Sequence, residues 1–297
     1  MLPAAAALVA ALAAAGSGWQ LAAVDEAGIS PSILHAAAHV EIAVIDTGAD
    51  LSVPEIGART VRAYDVRTGT SDVRDVNGHG TFVTSLAAAY SGNARLLVVK
   101  AGSSSGAFSD AAEATAIRYA IAHGARIINL SIGGPTTSKV ERSAIRFADA
   151  HGALIVTAAG NDYGFGNPVE YPAALLQPVG SNGVGGTGLV VAAAQDGARA
   201  SFSGTGSWIS LAAPGVDVYG ALGRGRYGRG SGTSFAAAEV SGAAALVWAA
   251  DPRLTAQRVA RLLEETASGH GVWTSDLGFG VIDVAAAVGR AATLAER

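Results

Sequence analysis

This sequence predicts an α/β fold, a single domain with a mostly parallel central sheet and helices on both faces. Three observations support it. Short β-branched runs of nearly continuous hydrophobicity alternate with helical stretches, as when buried parallel strands alternate with crossover helices. Half of the 297 residues are apolar and 15% are charged, which suits a large buried core. Two helical stretches also lead into strands through matching sequences, Ala122-His123-Gly124-Ala125 and Ala150-His151-Gly152-Ala153. Glycine is favoured just past a helix end, and a histidine in the last turn suits the dipole. These are successive βα units rather than a domain repeat.

In chain order, strands are expected at residues 41–45, 95–100, 126–130, 153–157, 189–193 and 208–211. Each is short and apolar almost throughout, the pattern of a strand covered on both faces. Helices are expected at 80–90, 110–123 and 138–151 between the early strands, and at 234–250 and 256–265 beyond the last. The glycine-and-arginine stretch 223–232 reads as a solvated loop carrying Arg224, Arg226 and Arg229. No linker divides the chain, so residues 19–297 are taken as one domain.

Residues 1–18 stand apart. Within them, 2–16 is an apolar, alanine-rich run, shorter than the ~20 residues that span a bilayer. It suits a signal-peptide core with cleavage near Ala13-Ala14-Ala15, although no basic side chain precedes it. An apolar N-terminal helix of the domain is the competing reading. Secretion or a cell-envelope location is expected, with a cytoplasmic one as the alternative.

Composition removes whole classes of function. A net charge of −4 without a long basic tract argues against nucleic acid as a partner. With no cysteine there is no thiol catalysis, Cys-ligated zinc or disulfide.

What remains points to a serine. Gly232-Thr233-Ser234 opens the helix at 234–250, so free N–H groups and the helix dipole face whatever the hydroxyl attacks. A serine hydroxyl is a poor nucleophile at neutral pH and needs a base. Six histidines compete for that role. His35 and His39 precede the first strand, in a segment without a glycine turn. His123 and His151 have the helix-end explanation, and His270 sits in a late turn with no acid or serine motif around it. His79 lies between two glycines immediately before a helix, where little bulk crowds a substrate.

Asp46 directly follows the strand 41–45, and sites in open parallel sheets form beyond the carboxyl ends of strands. Ser131 and Asn161 follow two other strands in the same way. Each could be a turn former, but coincidence explains all three poorly. The roles follow from chemistry: Ser234 attacks, His79 takes its proton, and Asp46 holds the imidazole tautomer. Asn161 and the Ser234 backbone N–H would supply the oxyanion donors.

Ala43-Val44-Ile45-Asp46-Thr47-Gly48, Asn77-Gly78-His79-Gly80-Thr81 and Gly232-Thr233-Ser234 resemble the aspartate, histidine and serine motifs of the subtilisin-like proteases, the subtilases, in that family's order. Asn129-Leu130-Ser131-Ile132-Gly133-Gly134 resembles one wall of the family's substrate cleft, and Ser105-Gly106-Ala107-Phe108 the opposing edge. Ala158-Ala159-Gly160-Asn161 resembles the specificity-pocket wall with the oxyanion residue. Tyr171-Pro172-Ala173 and the segment from Leu277 to Asp283 also fit. The resemblance implies peptide-bond hydrolysis through an acyl-enzyme, with substrate backbone extended between 105–108 and 130–133. A pocket walled by Ala158, Ala159 and Gly160 implies a hydrophobic or modest-sized residue before the cut.

Three departures from the family pattern matter. Phe235-Ala236-Ala237-Ala238-Glu239 replaces the usual Met-Ala-x-Pro-His, and Phe82 replaces a histidine. The stretch 86–97 is short and lacks the acidic ligands of the family's calcium loop, so that site is not carried over and no cofactor is expected, with calcium bound elsewhere as the alternative. Asp72 and Asp75, like Asp25 and Glu26, read as turn and surface residues. Finally, Trp19-Gln20-Leu21 already looks like the start of the mature domain. That leaves no propeptide ahead of it, unless one acts in trans or the chain is incomplete.

The expected function is serine endopeptidase, acting as a monomer without a membrane span on protein or peptide. A narrow-specificity maturation protease or a transpeptidase is the alternative. A catalytically silent peptide-binding homologue is disfavoured by the full set Asp46, His79, Asn161 and Ser234.

Overall fold

The alternation becomes one sheet in a computed structural model that describes residues 28–297, so the segment 1–18 and Trp19 lie outside the described residues. Strands β1 (Glu41–Asp46), β2 (Thr60–Asp65), β3 (Arg95–Lys100), β4 (Ile127–Leu130), β5 (Leu154–Ala158), β6 (Gly188–Gln195) and β8 (Leu211–Pro214) are parallel. Their order is β2-β3-β1-β4-β5-β6, with β8 beside β6, and the short β7 (Ala198–Arg199) returns antiparallel to β6. Val44 of β1 is opposite Val98 on one side and Asn129 on the other.

The period-2 alternation of the strands divides the core into two layers. Ile42, Val44, Leu96, Ile127, Val156 and Val191 face one layer. The chain forms short helices α1 (Pro31–Ala36), α2 (Pro54–Gly57) and α6 (Ala173–Leu176); the longer α3 (His79–Ala89), α7 (Thr233–Ala250), α8 (Ala256–Thr266) and α9 (Val284–Ala295) supply the layer's other half. Ala43, Ile45, Leu97, Ile128, Leu130 and Ile155 face the other layer, closed by α4 (Asp110–Ala122) and α5 (Lys139–Ala150). Helix α7 is apolar on most of its circumference because it is core on nearly every side, with Ser234, Glu239 and Ser241 among its buried polar exceptions. It is long and apolar enough to cross a membrane, yet here it is buried in the domain.

The sheet order also fixes where a site can form. The chain leaves β1, lays β2 and β3 on one side, then returns to place β4 on the other. Loops diverge at such a reversal and leave a crevice beyond the carboxyl ends. Asp46 ends β1 and Ser131 follows β4, so both stand at its rim.

Two expectations need correction. The strand expected at 208–211 begins only at Leu211; Trp208 and Ile209 are buried in a turn closed by Ile209 N–H on Gly206 O at 3.2 Å. Their apolarity reported burial rather than extension. The stretch 223–232 is mostly an antiparallel hairpin, β9 (Val218–Gly223) with β10 (Arg226–Gly230), joined by Arg224-Gly225, both with positive φ. Arg224, Arg226 and Arg229 are solvent-exposed as expected. The edge strand β2 escaped the sequence reading because its outer residues are polar or exposed rather than a continuous apolar run.

Candidate active site

The carboxylate ending β1 reaches the helix that begins at His79. His79 Nδ1 and Asp46 Oδ1 are 2.8 Å apart, with Asp46 only 1% exposed. Asp46 Oδ1 also accepts from the Thr47 N–H at 2.7 Å. Gly80 is required here: a Cβ would lie 2.2 Å from the Gly48 carbonyl oxygen and hold the two motifs apart. Burial pulls the His79 pKa down, but the charge and hydrogen bond of Asp46, with the charge of Asp75, outweigh it and leave it raised.

Asp75 is the residue the sequence reading undervalued. Its Oδ1 accepts from Thr47 Oγ1, Asn77 N and Gly78 N, and its Oδ2 from Thr81 N and Oγ1, all at 2.7–3.1 Å. It therefore caps α3, whose N-cap Gly78 has no side chain, and ties the histidine loop to the aspartate loop. A carboxylate four residues before the glycine-flanked histidine was the available signal. Asp72, by contrast, is an exposed partner of Arg74, as expected.

Ser234 lies in the first turn of α7. Ser131 Oγ donates to the Ser234 carbonyl at 2.9 Å and accepts from Asn129 Nδ2 at 2.9 Å, while Ser241 Oγ donates to Asn129 Oδ1 at 2.9 Å. This buried chain locks the start of α7 to the end of β4, and Asn129 was not anticipated in it. Ser234 Oγ donates toward the Ser131 carbonyl at 3.5 Å, so the structure joins aspartate to histidine by a hydrogen bond, while among the described residues none joins the serine hydroxyl to the imidazole.

Asn161 Oδ1 accepts from both Thr233 N at 2.9 Å and Thr233 Oγ1 at 3.1 Å. An N–H donor fixes which end of the amide is oxygen, so Nδ2 remains as a donor beside Ser234.

A cavity of about 530 Å³ opens at Ser234, between a wall of Ser131, Ile132, Gly133, Gly134 and Pro135 and a wall containing Ala158, Gly160 and Asn161. Leu130 and Ala159 do not line it, contrary to expectation. Each points into the core layer of α4 and α5, at 0% and 1% exposure, because strand alternation turns them from the cleft. Ser105, Gly106 and Ala107 form a tight turn, Ser103 N–H on Ala107 O at 2.9 Å and Gly106 N–H on Ser103 O at 3.0 Å, rather than a free extended edge. Asn77 Nδ2 donates to Ser104 O at 3.2 Å and holds that turn beside the histidine loop.

The pocket is also less apolar than its walls suggested. Asp162 and Glu170 line it; the pocket floor was expected near residues 164–170, but neither carboxylate was assigned a role in it. Burial first, then the Asp162 charge, pushes the Glu170 carboxyl up to about 7. A larger cavity, about 1150 Å³, lies behind the histidine loop among Asp50, Asp65, Asp72, Arg74, Lys100 and Arg224, and does not reach Ser234.

The two aromatic departures prove to be one. The Phe82 and Phe235 rings meet at a tilt, 4.3 Å between centroids, and Phe235 lies 6.0 Å from the His79 ring. A larger apolar pair thus fills the space behind the imidazole. His123 and His151 each pair Nδ1 with a carbonyl of their own helix, Tyr119 O at 2.8 Å and Phe147 O at 2.7 Å. Among the described residues, no group of three His, Asp or Glu is placed to hold a metal ion.

Comparison with known proteins supplies context. A family model described as the subtilase family matches residues 37–280. A thermophilic serine proteinase of Bacillus sp. (strain AK1) is 36% identical over 220 residues, covering 70% of this chain and 51% of that protein. This chain thus spans about half the length of that relative. Subtilisin of Bacillus pumilus is 33% identical over 264 residues, 84% of this chain and 90% of that one. Among solved structures, fervidolysin from Fervidobacterium pennivorans, a keratinolytic enzyme related to subtilisin, aligns with TM-score 0.78 at 25% identity, over 91% of this chain and 45% of that one. The MycP3 protease of the type VII (ESX-3) secretion system aligns with TM-score 0.72 at 29% identity, over 91% and 87%.

Proposed function

The chain belongs to the subtilase family, and from that premise we propose that it is a serine endopeptidase working through Asp46, His79 and Ser234, with Asn161 in the oxyanion hole. The observation that carries this reading is the buried Asp46–His79 pair at 2.8 Å, set against a helix start that presents Ser234. The reaction requires Ser234 Oγ to exchange its contact with the Ser131 carbonyl for one with the imidazole. Apo sites are commonly looser than the reacting complex in this respect.

Attack by Ser234 Oγ on the scissile carbonyl transfers its proton to His79 Nε2, and Asp46 stabilises the imidazolium. The oxyanion that forms meets the Ser234 N–H and Asn161 Nδ2. His79 then protonates the leaving amine and later activates the water that releases the acyl group. Asn161 is exposed and His79 partly so, which lets water reach the acyl-enzyme and favours hydrolysis over transpeptidation.

Fluorophosphonate labelling tests the assignment. Wild type takes the label at Ser234 and cleaves peptides; Ser234→Ala does neither while keeping its fold. The loss expected is on the order of 10⁶ in turnover, a magnitude carried over from subtilisin, a relative of this chain. More than a few per cent residual activity removes Ser234 as nucleophile. Export belongs to the same proposal, and mass spectrometry of the mature N-terminus decides it: an intact Met1 refutes cleavage near Ala15.

A further inference from the structure

We propose that the cavity beside Ser234 takes the side chain of lysine or arginine, so that cleavage follows a basic residue and Glu170 is its counter-charge. This rests on the protease reading above and names its substrate class.

Glu170 is held at the pocket by main-chain pairing. Gly134 N–H donates to Tyr171 O at 3.1 Å and Tyr171 N–H to Gly134 O at 2.9 Å, which pins the residue before Tyr171 against the Ser131–Pro135 wall. Its carboxylate spans the two walls. A Cβ at Gly133 would lie 2.0 Å from Oε2, and one at Gly160 would lie 2.3 Å from Oε1. Glycine at both positions is what lets a carboxylate occupy that place.

The charge there is unbalanced. Glu170 is 9% exposed, and among the described residues its carboxylate has no hydrogen bond or ion pair. Asp162 adds a second negative group to the same lining, which contains no lysine or arginine. The nearby guanidinium groups are engaged elsewhere. Arg142 lies over the Tyr171 ring at 5.8 Å, and Arg199 lies over the Tyr163 ring at 3.9 Å while pairing with Asp276 at 3.2 Å. A buried carboxylate without a partner is costly unless something compensates it. An extended cationic side chain entering past Ser234 meets that need, with its methylenes against Ile132, Ala158 and the glycines. A large hydrophobic residue, expected from the walls alone, would bury its apolar end on two carboxyl groups.

The test uses peptides identical except for arginine, lysine, phenylalanine or leucine before the cut, assayed at pH 8.5 on the full chain. Arginine and lysine should exceed phenylalanine and leucine at least tenfold in kcat/KM. Glu170→Gln should lower the arginine-to-phenylalanine ratio about 10²-fold, mainly through KM, as when one partner of a buried charge pair is removed. Benzamidine, a probe for the guanidinium, should compete for wild type and lose its grip on the variant. If Glu170→Gln does not fold, wild type alone still decides. Its arginine-to-phenylalanine ratio should rise with pH through about 7 as Glu170 ionises, and the ratio cancels the shared titration of His79. Peptide cleavage and Ser234 labelling with a preference for phenylalanine or leucine, or a pH-independent ratio, overturns the pocket assignment and leaves the protease reading standing. No labelling and no cleavage overturns both.

Discussion

Glu239 offers a prediction whose size can be worked out. It sits on α7 a little over one turn beyond Ser234, at 0% exposure, where the family usually has histidine. Burial drives its carboxyl well above the ordinary 4.5, outweighing a hydrogen bond from Tyr90 that pulls the other way. Folding at neutral pH must therefore supply a proton that the unfolded chain does not hold. The cost grows by about 1.4 kcal/mol for each pH unit above the unfolded pKa, and reaches about 4 kcal/mol at pH 7.5 if the group stays neutral. The sign follows: stability associated with the protonated form is full below 4.5 and is lost as pH climbs toward the folded pKa. Glutamine is neutral in both states and keeps an acceptor for Tyr90. Glu239→Gln, made in a Ser234→Ala background to prevent autolysis, is compared with that background by urea denaturation at pH 5 and pH 7.5. The variant should be more stable, and its advantage should widen with pH, by up to about 3 kcal/mol between the two values, the limit set by a group that stays neutral throughout. Glu113 and Glu264, both pushed up to about 8 chiefly by burial, titrate equally in both proteins and cancel. An advantage that does not change with pH would mean Glu239 is charged in the native state, and would refute the reasoning.

Two further outcomes follow from the site. On the proposed oxyanion role, in which Nδ2 meets charge that exists only in the transition state, Asn161→Ala should lower turnover by about 10²–10³ with little change in KM, a magnitude carried over from subtilisin. Normal turnover with a raised KM would place Asn161 in ground-state binding instead. EDTA should move the melting temperature by no more than about two degrees, since the connection from Tyr90 to Arg95 carries no acid; a fall of roughly ten degrees reversed by calcium would reveal a site holding the fold.

Local order in the sequence was enough for most of the sheet and for the strand ends and helix starts at which the candidate residues stand. Continuous apolar runs mark strands buried on both faces, and a polar residue at the end of such a run must emerge at the sheet edge, so Asp46 and Ser131 could be placed before any coordinates. Glycines flanking His79 and preceding Ser234 advertise turns that open onto helix starts. The same logic misled at 208–211, where apolarity meant burial in a turn, and missed β2, whose exposed edge carries no such run.

Through-space relations decided the rest. Asp75 contacts Thr47 across 28 positions, and Ser131 reaches Ser234 across 103, so neither partnership leaves a pattern in a local window. Phe82 and Phe235 looked like separate oddities until the fold brought their rings into contact. Glu170 is the sharpest case. Small apolar letters at Ala158, Ala159 and Gly160 suggested an apolar pocket, but Ala159 turned into the core, and the space left by Gly133 and Gly160 was filled by a carboxylate that the loop beyond Gly160 folds back. A sequence names the walls of a pocket where its strands end. What occupies the space between them depends on which other segment packs there, and that is settled only when the whole chain is folded.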